Sequence, residues 1–196
     1  MLPDPTLCHL LIEATRNLLL SGVPLRQATM DRLATQLRIS KKTIYRQFIS
    51  KESLVGALLA EHLGQTRALG RWVDQASTAE VGLARLTSWQ ATQVSEVSVQ
   101  LVTDLRTQYP ALSRPWWTTY QREFYDLLTA CLRRGIAERL FRPNLDAEVL
   151  GRLLLAQLEW LADGQLFPAE RFAPRRIYEQ LMQHFLQGLK RYSTGL

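Results

Sequence analysis

The chain has 196 residues, 46% of them hydrophobic, with 24 basic and 18 acidic side chains and a net charge of +6. This length and apolar content allow a sizeable buried core in one or two domains. Two distant cysteines without a CxxC pair, and no apolar run long enough to cross a bilayer, argue against a disulfide framework and a membrane segment, so we expect a cytoplasmic protein.

The first predicted helix covers residues 6 to 20 and ends at Gly22 and Pro24. A second helix is predicted after Thr29, because the apolar residues that follow recur at helical spacing as far as Leu37. A new helical pattern begins after Arg38. These apolar residues are Met30, Leu33, Ala34 and Leu37. The first helix is expected to cover the two short helices that follow it, because these cannot bury a core by themselves.

Two further helix starts follow, ten residues apart. Ser40 is placed to cap a third helix, and Ser50 is placed in the same way to cap a fourth, which we expect to run to about Trp72. Ile39 and Ile49 precede these serines at the position from which an apolar side chain packs back onto the first turn. Two helix N-termini with unpaired amides are therefore predicted close together.

The basic residues are concentrated on this segment. From Arg26 to Lys51 there are seven basic residues and one acid, a local net charge of +6, so the 17 basic and 17 acidic residues elsewhere balance. Lys41 and Lys42 open the third helix, where positive charge is unfavourable, which indicates an anionic partner. A solvated basic helix end is the alternative. The clustering favours a nucleic-acid-binding unit whose third helix enters the major groove.

The same segment carries a family resemblance. The residues Leu33-Ala34, Ile39-Ser40, Thr43-Ile44-Tyr45, Phe48 and Ser50-Lys51-Glu52-Ser53-Leu54, after Thr29, resemble the signature of the TetR family of bacterial transcriptional regulators. Three features depart from that pattern. Arg38 and Lys42 stand where the family usually has glycine, and the loop from Gly22 to Thr29 is about two residues longer. Arg38 is therefore expected to adopt an unfavourable backbone angle at a cost of about 1 kcal/mol.

The resemblance implies DNA contacts for nine residues, and the chemistry of the side chains agrees with it. Thr29, Tyr45 and Lys51 correspond to positions that commonly hold phosphates, with Ser40 as the cap beside them. The residues expected to face the groove or its rim are Lys41, Lys42, Thr43, Arg46 and Gln47. Ile44 and Phe48 are expected to anchor the helix in the core, and a packed role for Tyr45 is the alternative to a phosphate contact.

Beyond residue 72 the chain becomes rich in aromatic residues, with 15 of the 17 at or after Trp72. Helices are predicted from about Thr78 to Arg106, from Pro115 to Gly135, from Leu145 to Leu161 and from Pro174 to near Tyr192. No alternating strand pattern is found, so the fold is predicted to be all-α. We expect a helix-turn-helix domain at 1–50, a linking helix at 51–72 and a larger C-terminal helical domain at 73–196.

The C-terminal domain is predicted to serve dimerisation and ligand binding. The helix from Leu145 to Leu161 carries more apolar surface than one buried face needs, and the family resemblance implies that the last two helices pair between subunits. A central helix of a monomeric bundle is the alternative. The candidate dimer residues are Leu150, Leu154, Leu158, Leu161, Leu181 and Phe185. The candidate pocket residues for a small, largely apolar effector are Trp89, Trp116, Trp117, Tyr120, Phe124 and Trp160, although aromatic residues at helical spacing can equally be core.

Together these features predict a dimeric regulator, most simply a repressor, that binds an inverted-repeat operator in double-stranded DNA and is released by the effector. The alternatives are a dimeric architectural or protein-recruiting module without an effector, and a helical carrier protein. No catalytic motif, cofactor motif or metal-ligand spacing is found, since the three histidines lie apart from one another and from the cysteines. We therefore expect no enzymatic activity.

Overall fold

The computed structural model describes residues 4–96, 99–163, 166–168 and 171–191, and it describes the side chains of all of these except residues 94–96, 99–100 and 162–163. In this part of the chain there are nine α-helices and one 3₁₀ turn, Leu25–Gln27. The helices are α1 Pro5–Leu20, α2 Met30–Leu37, α3 Lys41–Gln47, α4 Lys51–Asp74, α5 Ala79–Glu96, α6 Val99–Gln108, α7 Pro110–Ala137, α8 Ala147–Asp163 and α9 Pro174–Leu189.

The all-α prediction is confirmed. The described residues contain no β-strand, and their one isolated bridge joins Phe141 to Lys190. None of their helices combines the length and apolar character needed to span a lipid bilayer. The predicted helix from Thr78 to Arg106 corresponds to α5 and α6, and residues 97 and 98 between them lie outside the described residues.

Two compact units make up the chain. The first consists of Met1–Gly64 and Gln100–Trp117, and the second of Gln65–Val99 and Thr118–Leu196. The expected domain division placed every residue after 72 in the C-terminal domain, whereas α6 and the start of α7 pack with the first unit. Leu105 of α6 lies in the core of that unit, beside residues of α1 to α4.

In the first unit, α1, α2 and α3 pack against one another around a shared apolar core. Leu11, Leu33 and Ile44 contribute one fully buried side chain from each of these helices. Helices of 8 and 7 residues are too short to be stable in isolation, so α2 and α3 depend on their packing within this core. The predicted role of α1 as a cover for the two short helices agrees with this packing.

In the second unit, α9 packs against α5 and α8, and α7 lines the same core. The core side chains include Leu83 and Leu86 of α5, Leu128 and Leu132 of α7, and Leu154 of α8. From α9, the Tyr178 hydroxyl donates a hydrogen bond of 2.8 Å to the Thr87 carbonyl, so its one polar atom is satisfied although the side chain is buried.

The predicted start of a helix at Pro115 was wrong. Helix α7 begins five residues earlier, with Pro110 in its first turn, and Pro115 lies inside it. A proline in a helix interior removes one backbone hydrogen bond, so local preference alone would end the helix there. Tertiary packing outweighs that loss, because Ser113 is buried and both Leu112 and Trp116 pack against the core of the first unit. At its other end, α7 continues past Gly135 to Ala137.

Candidate nucleic-acid interface

The turn between α2 and α3 contains the strained residue that the sequence predicts. Arg38 has φ 55° and ψ 39°, the left-handed conformation that favours glycine, and its amide donates to the Thr35 carbonyl. At the other end of α2, the Thr29 hydroxyl accepts from the Arg32 amide at 3.2 Å. Both ends of α2 are therefore closed by local hydrogen bonds.

Helix α3 is held by its apolar face. Ile44 is fully buried and Phe48, which follows the helix, is 8% exposed, as predicted for core anchors. This orientation exposes Lys41, Lys42, Tyr45 and Arg46, of which Lys42 and Arg46 lie opposite Ile44. Tyr45 is 47% exposed, so the structure favours a surface tyrosine over the packed alternative. The exposed face combines three cations with one phenol, groups that can donate hydrogen bonds to phosphate oxygens and base edges.

The predicted cap at Ser40 is confirmed. Its hydroxyl accepts from the Thr43 amide at 3.0 Å and lies 2.8 Å from the Thr43 hydroxyl. Lys41 donates to Asp31 at 2.6 Å, so an acid of α2 supplies part of the negative charge that the start of α3 requires. Both partners are largely exposed, so the pair contributes little stability. Lys42 makes no ion pair within the described residues.

Two of the predicted DNA contacts are directed into the first unit. The Gln47 amide oxygen accepts from the Asp4 amide at 2.8 Å and from the Cys8 thiol at 3.5 Å, which ties α3 to the start of α1. The Lys51 ammonium group is half-buried and donates to the Leu25 carbonyl. Partial burial lowers the pKa of Lys51, and the nearby Asp104 carboxylate opposes that effect. These internal bonds separate Gln47 and Lys51 from the exposed face of α3.

Ile49 was predicted to pack onto the first turn of α4, and this prediction was wrong. Its side chain is 86% exposed, although Ser50 does cap α4 by accepting from the Ser53 amide at 3.1 Å. The Ser53 hydroxyl accepts in turn from the Ser50 amide at 3.2 Å, and this reciprocal pair closes the start of the helix without an apolar contact. Ile49 therefore adds an apolar side chain to the surface between α3 and α4.

The six predicted pocket residues have different surroundings. In the second unit, Trp89, Tyr120 and Phe124 form one aromatic cluster, with ring centroids 6.2 Å apart for Trp89 and Tyr120 and 6.1 Å for Tyr120 and Phe124. The buried Tyr120 hydroxyl donates to the side-chain oxygen of Gln90, and burial raises the pKa of Tyr120 well above its usual range.

The other three pocket candidates lie elsewhere. Trp116 and Trp117 belong to the first unit, where Trp116 makes an edge contact with His62 and Trp117 lies beneath the Arg106 guanidinium. Trp160 is exposed. A shallow groove of about 360 Å³ between α7 and α8 has none of the six residues in its lining, which consists of Gln121, Arg122, Tyr125, Arg152, Leu155, Ala156 and Glu159.

Helix α8 presents a different apolar face from the one expected at a dimer interface. Leu154 and Leu161 are almost fully buried in the core of the second unit, so they leave almost no surface for another subunit. The other four candidates, Leu150, Leu158, Leu181 and Phe185, are half-buried and pack against the same core. Val149, Leu153 and Trp160 are instead 51%, 55% and 57% exposed, and their spacing of four and seven residues places them on one side of α8.

The chain is similar in sequence to known bacterial regulatory proteins. Residues 11–58 match the model of the family described as bacterial regulatory proteins, tetR family. The chain is 26% identical over 171 residues to the HTH-type transcriptional repressor KstR2 of Rhodococcus jostii strain RHA1, an alignment that covers 84% of this chain and 82% of that protein.

Solved structures share the fold along almost the whole chain. The ketosteroid transcriptional regulator KstR2 of Mycobacterium tuberculosis is 21% identical with a TM-score of 0.62, covering 96% of this chain and 97% of that one. The transcriptional regulator FadR of Bacillus subtilis, solved in complex with stearoyl-CoA, is 17% identical with a TM-score of 0.61, covering 91% and 97%.

Proposed function

The chain belongs to the TetR family of bacterial transcriptional regulators, and from this premise we propose that it is a dimeric repressor that binds an inverted-repeat operator and is released by a small, largely apolar ligand. The observation that carries the proposal is the exposed face of α3, where Lys42, Tyr45 and Arg46 lie at the surface while Ile44 is buried. Such a face offers cations and a phenol to DNA while the core holds the helix still.

The operator contacts are assigned to exposed side chains of α3 and to the N-termini of α2 and α3. Lys42 and Arg46 reach base edges or phosphates from α3, and Tyr45 donates to a phosphate. Thr29 and Lys41 lie at the N-termini of α2 and α3, where amides add to the attraction for phosphate. Ser40 and Thr43 act chiefly by capping α3, since their hydroxyls are bonded to each other or to its first turn.

A repressor with an effector is favoured by the similar proteins and by the interior of the second unit. KstR2 of Rhodococcus jostii is a transcriptional repressor, and FadR of Bacillus subtilis was solved with stearoyl-CoA. Here the cluster of Trp89, Tyr120 and Phe124 surrounds one buried hydrogen bond, from Tyr120 to Gln90. A suitable ligand would have a large apolar part that packs against these rings and a polar group that replaces one partner of this hydrogen bond.

The proposed function is tested by selecting duplexes from random DNA with the purified protein. We expect enrichment of an inverted repeat whose half-site centres lie about 34 Å or a multiple apart, as two recognition helices require. The selected duplex is then titrated in the presence of long-chain acyl-CoA esters and steroids. An effector will raise the melting temperature of the protein and lower its operator affinity. If the protein selects an operator but responds to none of these compounds, the architectural alternative is favoured. If it selects no sequence, the proposed function as a transcriptional regulator is refuted.

We assign the dimer contact to the exposed side of α8, the face of Val149, Leu153 and Trp160. Three large apolar side chains on one helix face are costly to leave in water, at about 25 cal/mol for each Å² of apolar surface. A second copy of the same helix across a two-fold axis would cover them, because a two-fold contact brings the same patch of both subunits together.

Replacing Leu153 with Asp is expected to convert the dimer into a monomer, because two carboxylates would be buried near the axis without partners. Sedimentation velocity measures the change, and operator affinity falls with it. Val81→Asp is the matched control, since Val81 is an exposed apolar residue of α5 in the same unit. Dimers that persist in Leu153→Asp would move the interface away from this face.

A further inference from the structure

The backbone of Leu25 is held from both sides by two charged residues that are distant in sequence. Its amide donates to the Asp104 carboxylate at 3.0 Å, and its carbonyl accepts from the Lys51 ammonium group. Leu25 itself is 1% exposed and opens the 3₁₀ turn Leu25–Gln27. All three residues belong to the first unit. We call this arrangement the Leu25 clamp.

The charges of the clamp are balanced locally. Asp104 lies on α6 and is buried, and a buried carboxylate is unfavourable unless hydrogen bonds and a positive charge compensate it. The Leu25 amide supplies a hydrogen bond, and Lys51, the first residue of α4, supplies the positive charge nearby. Removing either charge takes a favourable electrostatic interaction away from the other, so Lys51 and Asp104 depend on each other.

The clamp lies directly before the helix-turn-helix. The Ala28 amide donates to the Leu25 carbonyl at 3.2 Å and its side chain is buried, and the Thr29 amide donates to the Gln27 carbonyl at 2.9 Å. Thr29 is the residue that caps α2. A short chain of hydrogen bonds therefore runs from Asp104 and Lys51 through the turn to the start of α2, against which α3 packs.

We propose that Asp104 and Lys51 are positioning residues for DNA binding, which fix the turn Leu25–Gln27 and through it α2 and α3, and that Lys51 contacts Leu25 instead of a DNA phosphate. This proposal rests on the proposed function for its DNA readout, but the clamp itself is observable without DNA. The proposal predicts that replacing Asp104 changes operator affinity, although this residue lies far from the helix-turn-helix in sequence.

The salt dependence of operator binding tests the role of Lys51. A lysine that neutralises a phosphate contributes about 1 to the slope of log affinity against log salt concentration for each half-site. Lys51→Met is expected to weaken binding about tenfold at every salt concentration without changing this slope. Lys42→Met, the matched control on the exposed face of α3, is expected to reduce the slope by about 1 for each half-site. A reduced slope in Lys51→Met would overturn the proposal, because it would place Lys51 on a phosphate.

Hydrogen exchange tests the clamp independently of DNA. In the full-length protein, Asp104→Ala is expected to speed exchange of the Leu25 amide about tenfold or more, because its acceptor is gone. Asp104→Asn, which retains an oxygen acceptor, is expected to restore part of the protection and part of the operator affinity. The Leu128 amide in the second unit should exchange as in the wild type in both variants.

The outcomes separate the clamp from the proposed function. Unchanged exchange at Leu25 in both Asp104 variants would refute the clamp even if operator binding is intact. If exchange at Leu25 is faster in the Asp104 variants but the wild-type protein selects no DNA sequence, the clamp is supported and the proposed regulatory function is refuted. If Asp104→Ala does not fold, Asp104→Asn and Lys51→Met provide the same comparison, since each removes one charge and leaves a side chain of similar size.

Discussion

Replacing Lys42 with glutamate is expected to lower operator affinity by about 100-fold or more while leaving the folded protein as stable as the wild type or slightly more stable. Each protomer loses a cationic contact worth about 1–3 kcal/mol and gains a repulsion against phosphate, and a dimer incurs this loss twice. The stability of the protein changes in the opposite direction, because an acid in the first turn of α3 interacts favourably with the helix dipole, by about 0.3–1 kcal/mol.

Filter binding or fluorescence anisotropy on the selected operator, together with thermal unfolding, measures the two effects. Arg176→Glu is the matched control, since Arg176 is an exposed base in the first turn of α9 and the substitution changes the charge by the same amount. It should leave operator affinity close to that of the wild type. Wild-type affinity in Lys42→Glu would show that the exposed face of α3 does not meet DNA.

The second large effect is expected at Gly135. A Cβ atom at this position would lie 2.1 Å from the ring of Phe141, far inside van der Waals contact, and Phe141 is only 6% exposed. Gly135→Ala is therefore expected to lower the free energy of unfolding by about 2 kcal/mol, even though alanine favours a helix interior by about 1 kcal/mol. For a chain of this size, the melting temperature should fall by about 5 °C.

Gly64→Ala is the matched control for this experiment. Gly64 also lies within a helix, but no heavy atom would come within 4 Å of its added Cβ, so this variant should be about 0.5–1 kcal/mol more stable than the wild type. The double variant Gly135→Ala with Phe141→Leu is expected to recover part of the loss, because the smaller side chain leaves room for the methyl group. Equal stabilities of Gly135→Ala and Gly64→Ala would rule out the close approach of Phe141.

The features that sequence reasoning predicted correctly are those set by neighbouring residues. The caps at Thr29 and Ser40 and the left-handed conformation of Arg38 depend on hydrogen bonds and steric contacts within a few residues. The burial of Ile44 follows from helical spacing in the same way. Such short-range effects are readable because every group involved is present in the local sequence.

Two of the predictions that the structure changed depend on residues far away in the chain. Pro115 remains inside α7 because of its neighbours in the first unit, and no local signal reports them. Both Leu153 and Leu154 have the apolar character of core residues, yet Leu154 is buried and Leu153 is 55% exposed. The side of α8 that faces inward is set partly at Gly151, where an added Cβ would lie 2.8 Å from Thr129 and 2.9 Å from Tyr125 of α7.

Residue spacing and charge are enough to predict an all-α fold, an excess of positive charge between Arg26 and Lys51, and a helix-turn-helix that carries this charge. Which side chains of that segment lie at the surface and which bond to the interior depends on tertiary packing. Lys42 is exposed on α3, whereas Lys51 donates to the Leu25 carbonyl and interacts electrostatically with Asp104. The physical reason is that charge and helical period are local properties, whereas the partner of a charge is set by packing between segments that are distant in sequence.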